Sequence, residues 1–84
     1  MLRSEIFNGL KDILVMMDES KKDKIDSIKE SDRLFEDLGL TSISLLYLMI
    51  AIEESFEIEF DGDTGVNDLP TVKDVIDYIE KKKN

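Results

Sequence analysis

Eighty-four residues with 42% apolar content and a single proline are enough to fold one small domain and too few for two. The chain has no cysteine and no histidine, which excludes disulfides, thiolate metal sites and a serine activated by histidine. A net charge of −9 sets it against nucleic acid and anionic membrane surfaces, and the absence of cysteine fits a reducing cytoplasm.

The opening Met1-Leu2-Arg3-Ser4-Glu5-Ile6-Phe7-Asn8 carries polar residues too early for the apolar core of a signal peptide. Leu2, Ile6, Leu10, Ile13, Leu14 and Met17 recur at three- and four-residue spacing, which predicts an amphipathic helix from about Arg3 to Met17. Residues 18–32 are rich in Asp, Lys and Ser and read as a long solvated loop, pinned to the core by Ile25 and Ile28. Such a loop is long for a small domain, and a short helical turn around Asp32 to Phe35 would relieve it.

Gly39 breaks the pattern before a second helix, expected from Thr41 or Ser42 to about Phe56 with Thr41 as N-cap. Leu45, Leu48, Met49, Ile52 and Phe56 form its core stripe, while Ile43, Leu46, Tyr47 and Ile50 form an offset one. A bundle this small has little room to bury a helix on every side, so the offset stripe is expected to be at least partly exposed. The longest apolar run, residues 45–52, is eight residues, far short of the ~20 that cross a bilayer, so no membrane insertion is expected. After Phe56, Ile58 and Phe60 are expected to plug into the core, with a short helical turn from Val66 to Leu69. Pro70, Thr71 and Asp74 announce a last helix with a capping box, and Val72, Val75, Ile76 and Ile79 make its buried stripe. Lys81, Lys82 and Lys83 complement its C-terminal dipole. The expectation is a single all-α domain over residues 1–84, with three main helices and a short fourth.

From residue 34 to residue 72 there is no Lys or Arg, and nine acids lie in that block. The rest of the chain holds eleven acids and eleven bases, so the block carries the whole net charge. It is suited to basic protein surfaces. Ser42 stands inside it, at the predicted junction of a glycine loop and an apolar helix. Without a histidine to take its proton it is no catalytic nucleophile, but it is well placed for modification by another enzyme. At the first position of a helix, a phosphate ester on its oxygen would meet the positive end of the helix dipole.

These residues resemble the acyl carrier protein family, whose modified serine stands in Leu-Gly-x-Asp-Ser-Leu before an apolar helix that ends in glutamates and a phenylalanine. The matching stretches are Leu38-Gly39-Leu40-Thr41-Ser42-Ile43, residues 45–52, and Glu53-Glu54-Ser55-Phe56-Glu57-Ile58-Glu59. The tail Leu69-Pro70-Thr71-Val72-Lys73-Asp74-Val75-Ile76-Asp77-Tyr78-Ile79 is similar to the family's last helix. The resemblance implies a four-helix carrier without catalytic residues of its own. It implies that a phosphopantetheinyl transferase moves 4′-phosphopantetheine from coenzyme A onto Ser42, so that the reactive sulfur belongs to the prosthetic group. It also implies a partner-docking surface made of Asp37, Thr41, Ile43, Leu46, Tyr47, Ile50, Glu53 and Glu54, met by acyl-loading and acyl-processing enzymes with basic surfaces. A monomer is expected.

The sequence departs from the family pattern in two places. Thr41 replaces the aspartate before the serine and Ile43 the leucine after it; further on, Ser44 and Tyr47 stand where fatty-acid carriers are often acidic. The more apolar face suggests a carrier for a specialised lipid, polyketide or other secondary-product pathway. The alternatives are an unmodified carrier-fold adaptor for protein contacts, or a peptidyl or D-alanyl carrier. A calcium loop at Asp61-Gly62-Asp63-Thr64-Gly65 fails, because Gly65, Val66 and Val72 fall where an EF-hand needs an oxygen ligand, glycine and glutamate. No metal site is expected.

Overall fold

Burial of three apolar stripes against one another determines the architecture. The computed structural model describes the backbone of residues 1–84 and every side chain except that of Val66. Helix α1 spans Arg3–Met17, α2 Lys22–Asp26, α3 Ser42–Phe56 and α4 Val72–Lys83, with short 3₁₀ turns at Glu19–Lys21 and Val66–Asp68. No strand occurs among the described residues, only one isolated bridge between Arg33 and Thr71. Helix α1 packs against α2, α3 and α4.

Most of the periodic residues make the core as expected, but Leu2, at the N-cap of α1, is 68% exposed, and Met17 and Met49 are only half-buried at its edge. Ile6, Leu10, Ile13 and Leu14 of α1 meet Leu45, Leu48, Ile52 and Phe56 of α3 and Val72, Val75, Ile76 and Ile79 of α4, all buried. Gly9 is required by this packing: a Cβ there would lie 2.8 Å from Cζ of Phe56, closer than carbon atoms approach. Thr71 caps α4 by accepting from the amide of Asp74, and the Asp74 carboxylate returns a bond to the Thr71 amide at 3.1 Å. Ile58 is buried and Phe60 half-buried, stacked on Tyr78 at 4.8 Å between ring centres.

Residues 18–32 correct the expectation of a continuous loop. The Asp18 carboxylate accepts from the Ser20 amide and opens the 3₁₀ turn, and α2 follows with Lys22 and Asp26 paired at 2.9 Å. Five helical residues are too few to show a period, so only the two isoleucines were visible in the sequence. Both are buried. The turn expected around residues 32–35 lies slightly later: the Arg33 carbonyl accepts from the amides of Asp37 and Leu38. What fixes the segment is backbone pairing to the start of α4. Leu34 donates to the Pro70 carbonyl, Val72 to that of Asp32 and Lys73 to that of Glu30. Arg3 joins the same corner, 2.7 Å from Glu30, 2.8 Å from Asp77 and 3.2 Å from Glu80.

Candidate functional site

The junction before α3 is built by three backbone-level choices. Gly39 adopts φ +71°, a left-handed conformation that favours glycine and lets the chain leave the turn at residues 34–38. Leu40 then bonds back to the Leu34 carbonyl at 3.0 Å. Thr41 is extended, and its hydroxyl oxygen accepts from the Ser44 amide at 3.1 Å, which makes it the N-cap of α3. Ser42 is therefore the first helical residue. It is exposed, and its side chain makes no hydrogen bond among the described residues.

The face beyond Ser42 is open. Ile43, Leu46, Tyr47 and Ile50 are 67%, 54%, 64% and 53% exposed, and they fall at one-turn spacing opposite the buried stripe. Glu54 continues this exposed face one turn later. The remaining expected docking residues are placed differently. Glu53 is half-buried, and its carboxylate accepts from the Phe60 amide at 2.9 Å. Asp37 sits in the turn before Gly39, where the Arg33 amide donates to its carboxylate at 2.7 Å. That amide, then the Arg33 and Lys24 charges, holds the Asp37 carboxyl below the usual carboxylate range. Asp37, Thr41 and Glu53 thus each have a local structural task.

A cleft of about 160 Å³ lies behind the junction, between the end of α1, α2 and the first turn of α3. Leu14, Met17, Ile25 and Leu40 line it, with Lys21 and Lys24 among the polar residues at its wall. Sequence reasoning did not find this cleft, because its walls come from four segments and α2 left no periodic trace. Among the described residues no group of three potential metal ligands converges. In the acidic segment at residues 61–65, Asp61 is instead paired with Lys82 at 2.7 Å.

The family described as "Phosphopantetheine attachment site" matches residues 19–79. An acyl carrier protein of Campylobacter curvus is 34% identical over 90% of this chain and 94% of its own. One from Wolinella succinogenes is 36% identical over 93% of this chain and 97% of its own, and one from Campylobacter hominis 36% over 90% and 91%.

Proposed function

The chain belongs to the acyl carrier protein family, and from that premise we propose that Ser42 is the residue that bears the family's 4′-phosphopantetheine. Members of this family are carriers rather than enzymes, and the prosthetic group is covalently attached. The observation that carries the assignment to Ser42 is its place: an exposed hydroxyl without a hydrogen-bonding partner among the described residues, at the first position of α3, directly after the Thr41 cap. When bound, the prosthetic group supplies a terminal thiol that holds an acyl group as a thioester.

In attachment the Ser42 oxygen forms a bond to the phosphorus on the pantetheine side of coenzyme A as the pyrophosphate bridge breaks, and adenosine 3′,5′-bisphosphate leaves with the bridging oxygen. The serine proton leaves to the phosphopantetheinyl transferase, since this chain has no histidine to receive it. The chain's own contribution is electrostatic and positional. The free amides and dipole at the start of a fifteen-residue helix favour an adjacent phosphodiester by about 0.5 kcal/mol. Thr41 fixes that helix end; an aspartate in its place would cap somewhat better, so the departure from the family pattern keeps the junction capped at a small cost.

Ile43, Leu46, Tyr47 and Ile50, continued by Glu54, form the docking face in this reading. It suits partner enzymes that offer an apolar pocket beside the serine and basic residues further along α3. No acid lies in the first turn of α3, in keeping with dedicated partners in a specialised lipid, polyketide or secondary-product pathway.

The test of Ser42 is intact mass before and after incubation with coenzyme A, magnesium and a broad-specificity phosphopantetheinyl transferase. Wild type should gain one phosphopantetheine and Ser42→Ala none, with unchanged helical circular dichroism. A Ser42→Ala chain that is still modified would move the site elsewhere. A folded wild type that no transferase modifies would favour the adaptor.

A further inference from the structure

We propose that Asp37 is a positioning residue for modification at Ser42, acting as a hydrogen-bond acceptor and not as a charge that meets the partner. The proposal deepens the attachment reading above and rests on it.

Asp37 closes the turn that precedes the attachment junction. Its carboxylate accepts from the Arg33 amide at 2.7 Å, while its own amide donates to the Arg33 carbonyl at 3.0 Å. This reciprocal pair holds both ends of residues 33–37, much as a capping box holds the first turn of a helix. Leu34 lies buried inside the turn, and its two backbone groups bond to different elements. Its amide donates to the Pro70 carbonyl at 3.0 Å, just before α4. Its carbonyl accepts from Leu40 at 3.0 Å, two residues before Ser42. A bridge between Arg33 and Thr71, the N-cap of α4, runs beside the first of these bonds. The Ser42 junction is thus tied to α4 through the backbone of one residue. Within residues 33–40, the Asp37 carboxylate is the one side-chain group that bonds to backbone among the described residues.

The junction has little stiffness of its own. Gly39 has no side chain to restrict its backbone, and helix ends fray. The Thr41 hydroxyl accepts from the Ser44 amide at 3.1 Å, and its carbonyl accepts from Leu45 at 2.9 Å. Both bonds need residue 41 held against the start of α3. Leu40 supplies that restraint through its bond to Leu34, and Leu34 keeps its orientation while the turn is closed. Ser42 sits on the turn of α3 that frays first when the restraint is lost.

Electrostatics favours the same role. The Arg33 guanidinium, 3.5 Å away, and the Lys24 ammonium offset the negative charge of Asp37. A basic partner surface therefore gains less from Asp37 than from Glu54, on a helix that carries no base. Asparagine separates the two roles, since its side-chain oxygen accepts a hydrogen bond and carries no charge.

The experiment measures steady-state transfer of phosphopantetheine from coenzyme A to wild type, Asp37→Asn and Asp37→Ala, with one broad-specificity transferase and the carrier varied. Backbone amide hydrogen exchange on the same unmodified chains gives a readout that needs no transferase. Asp37→Ala should lower kcat about three- to tenfold, as loss of one charge-assisted hydrogen bond at a partly exposed site allows, with KM within about twofold. Asp37→Asn should stay within about twofold of wild type in both constants. In Asp37→Ala the amides of Leu40, Ser44 and Leu45 should exchange about tenfold faster, a larger factor than for Ile52 and Ile76 in the core. A KM raised several-fold in Asp37→Asn with kcat kept would make Asp37 a docking charge and overturn the proposal. Equal losses of kcat in both variants, or unchanged exchange at Leu40 and Ser44 in Asp37→Ala, would overturn it as well. If Asp37→Ala does not fold, Asp37→Asn decides by the same two constants. A wild type that accepts no phosphopantetheine overturns the Ser42 assignment instead, and the exchange rates still test the restraint.

Discussion

Tyr47 is where the two possible fates of an aromatic on α3 separate. It is 64% exposed, so it adds little to the core, yet a large exposed aromatic beside Ser42 has the character of a binding anchor. Tyr47→Glu should change stability by less than about 0.5 kcal/mol, as surface substitutions do. The same change should lower kcat/KM for loading by the cognate enzyme about tenfold or more, because it removes the anchor and buries a charge in its place. Thermal melting and loading kinetics on one preparation check both. Leu48→Ala on the opposite face gives the contrast, since a fully buried leucine should cost about 2–5 kcal/mol. A Tyr47→Glu chain that melts as early as Leu48→Ala would make Tyr47 part of the core and remove it from the proposed docking face. Glu53 behaves as neither extreme: its bond to the Phe60 amide means that replacing it alters the end of α3 as well as the surface charge.

At the scale of the elements, the end of α3 carries a residue that its sequence does not flag. Glu57 closes the helix in the left-handed region at φ +56°, and its amide and that of Ile58 both donate to the Glu53 carbonyl. A side chain there is strained, and glycine is the residue that usually takes this position. Glu57→Gly should therefore stabilise the fold by about 0.5–1 kcal/mol, the relief of strain being partly offset by the freer unfolded chain. A denaturant midpoint that moves down instead would mean the Glu57 side chain makes a contact worth more than the strain.

Glu57 also illustrates which parts of the fold were legible. The ends of α1, α3 and α4 followed from apolar period and capping residues, and the Thr41 and Thr71 caps were readable because a hydroxyl at that spacing has a local partner. The Ser42 junction was legible for the same reason. The pairing of residues 30–34 with the start of α4 was not, because it joins backbone groups about forty residues apart and leaves no mark on side-chain identity. The cleft is walled by α2 together with the end of α1, residues 38–40 and Ser44, so it was hidden with α2.

For the molecule as a whole, the acidic excess and the paired carboxylates act in opposite directions as pH falls. The Lys73 ammonium, then the Arg3 guanidinium, holds the Asp77 carboxyl below its usual range, and the Lys82 ammonium and Tyr78 hydroxyl do the same for Asp61. A carboxyl with a lowered folded-state pKa binds fewer protons folded than unfolded. Its contribution is complete above the ordinary unfolded value of about 4, and it is lost as pH falls through the lower folded value. Removing net negative charge first relieves self-repulsion, so the two effects compete in mild acid. At still lower pH both turn unfavourable, because the paired carboxylates are neutralised and eleven bases repel one another. Arg3 isolates the paired contribution, since it links α1 to Glu30, Asp77 and Glu80 at once and keeps its charge throughout. Arg3→Met retains much of the apolar stem and should cost about 1 kcal/mol at pH 7, a magnitude suited to a half-exposed network rather than a buried pair. As Asp77 protonates with falling pH, wild type and variant should converge, and once the pH lies below its lowered folded-state range their thermal midpoints should nearly coincide. Midpoints that stay apart across the acid range would mean that Arg3 supports α1 through packing of its stem, and that the corner joining α1, residue 30 and α4 is held without charge.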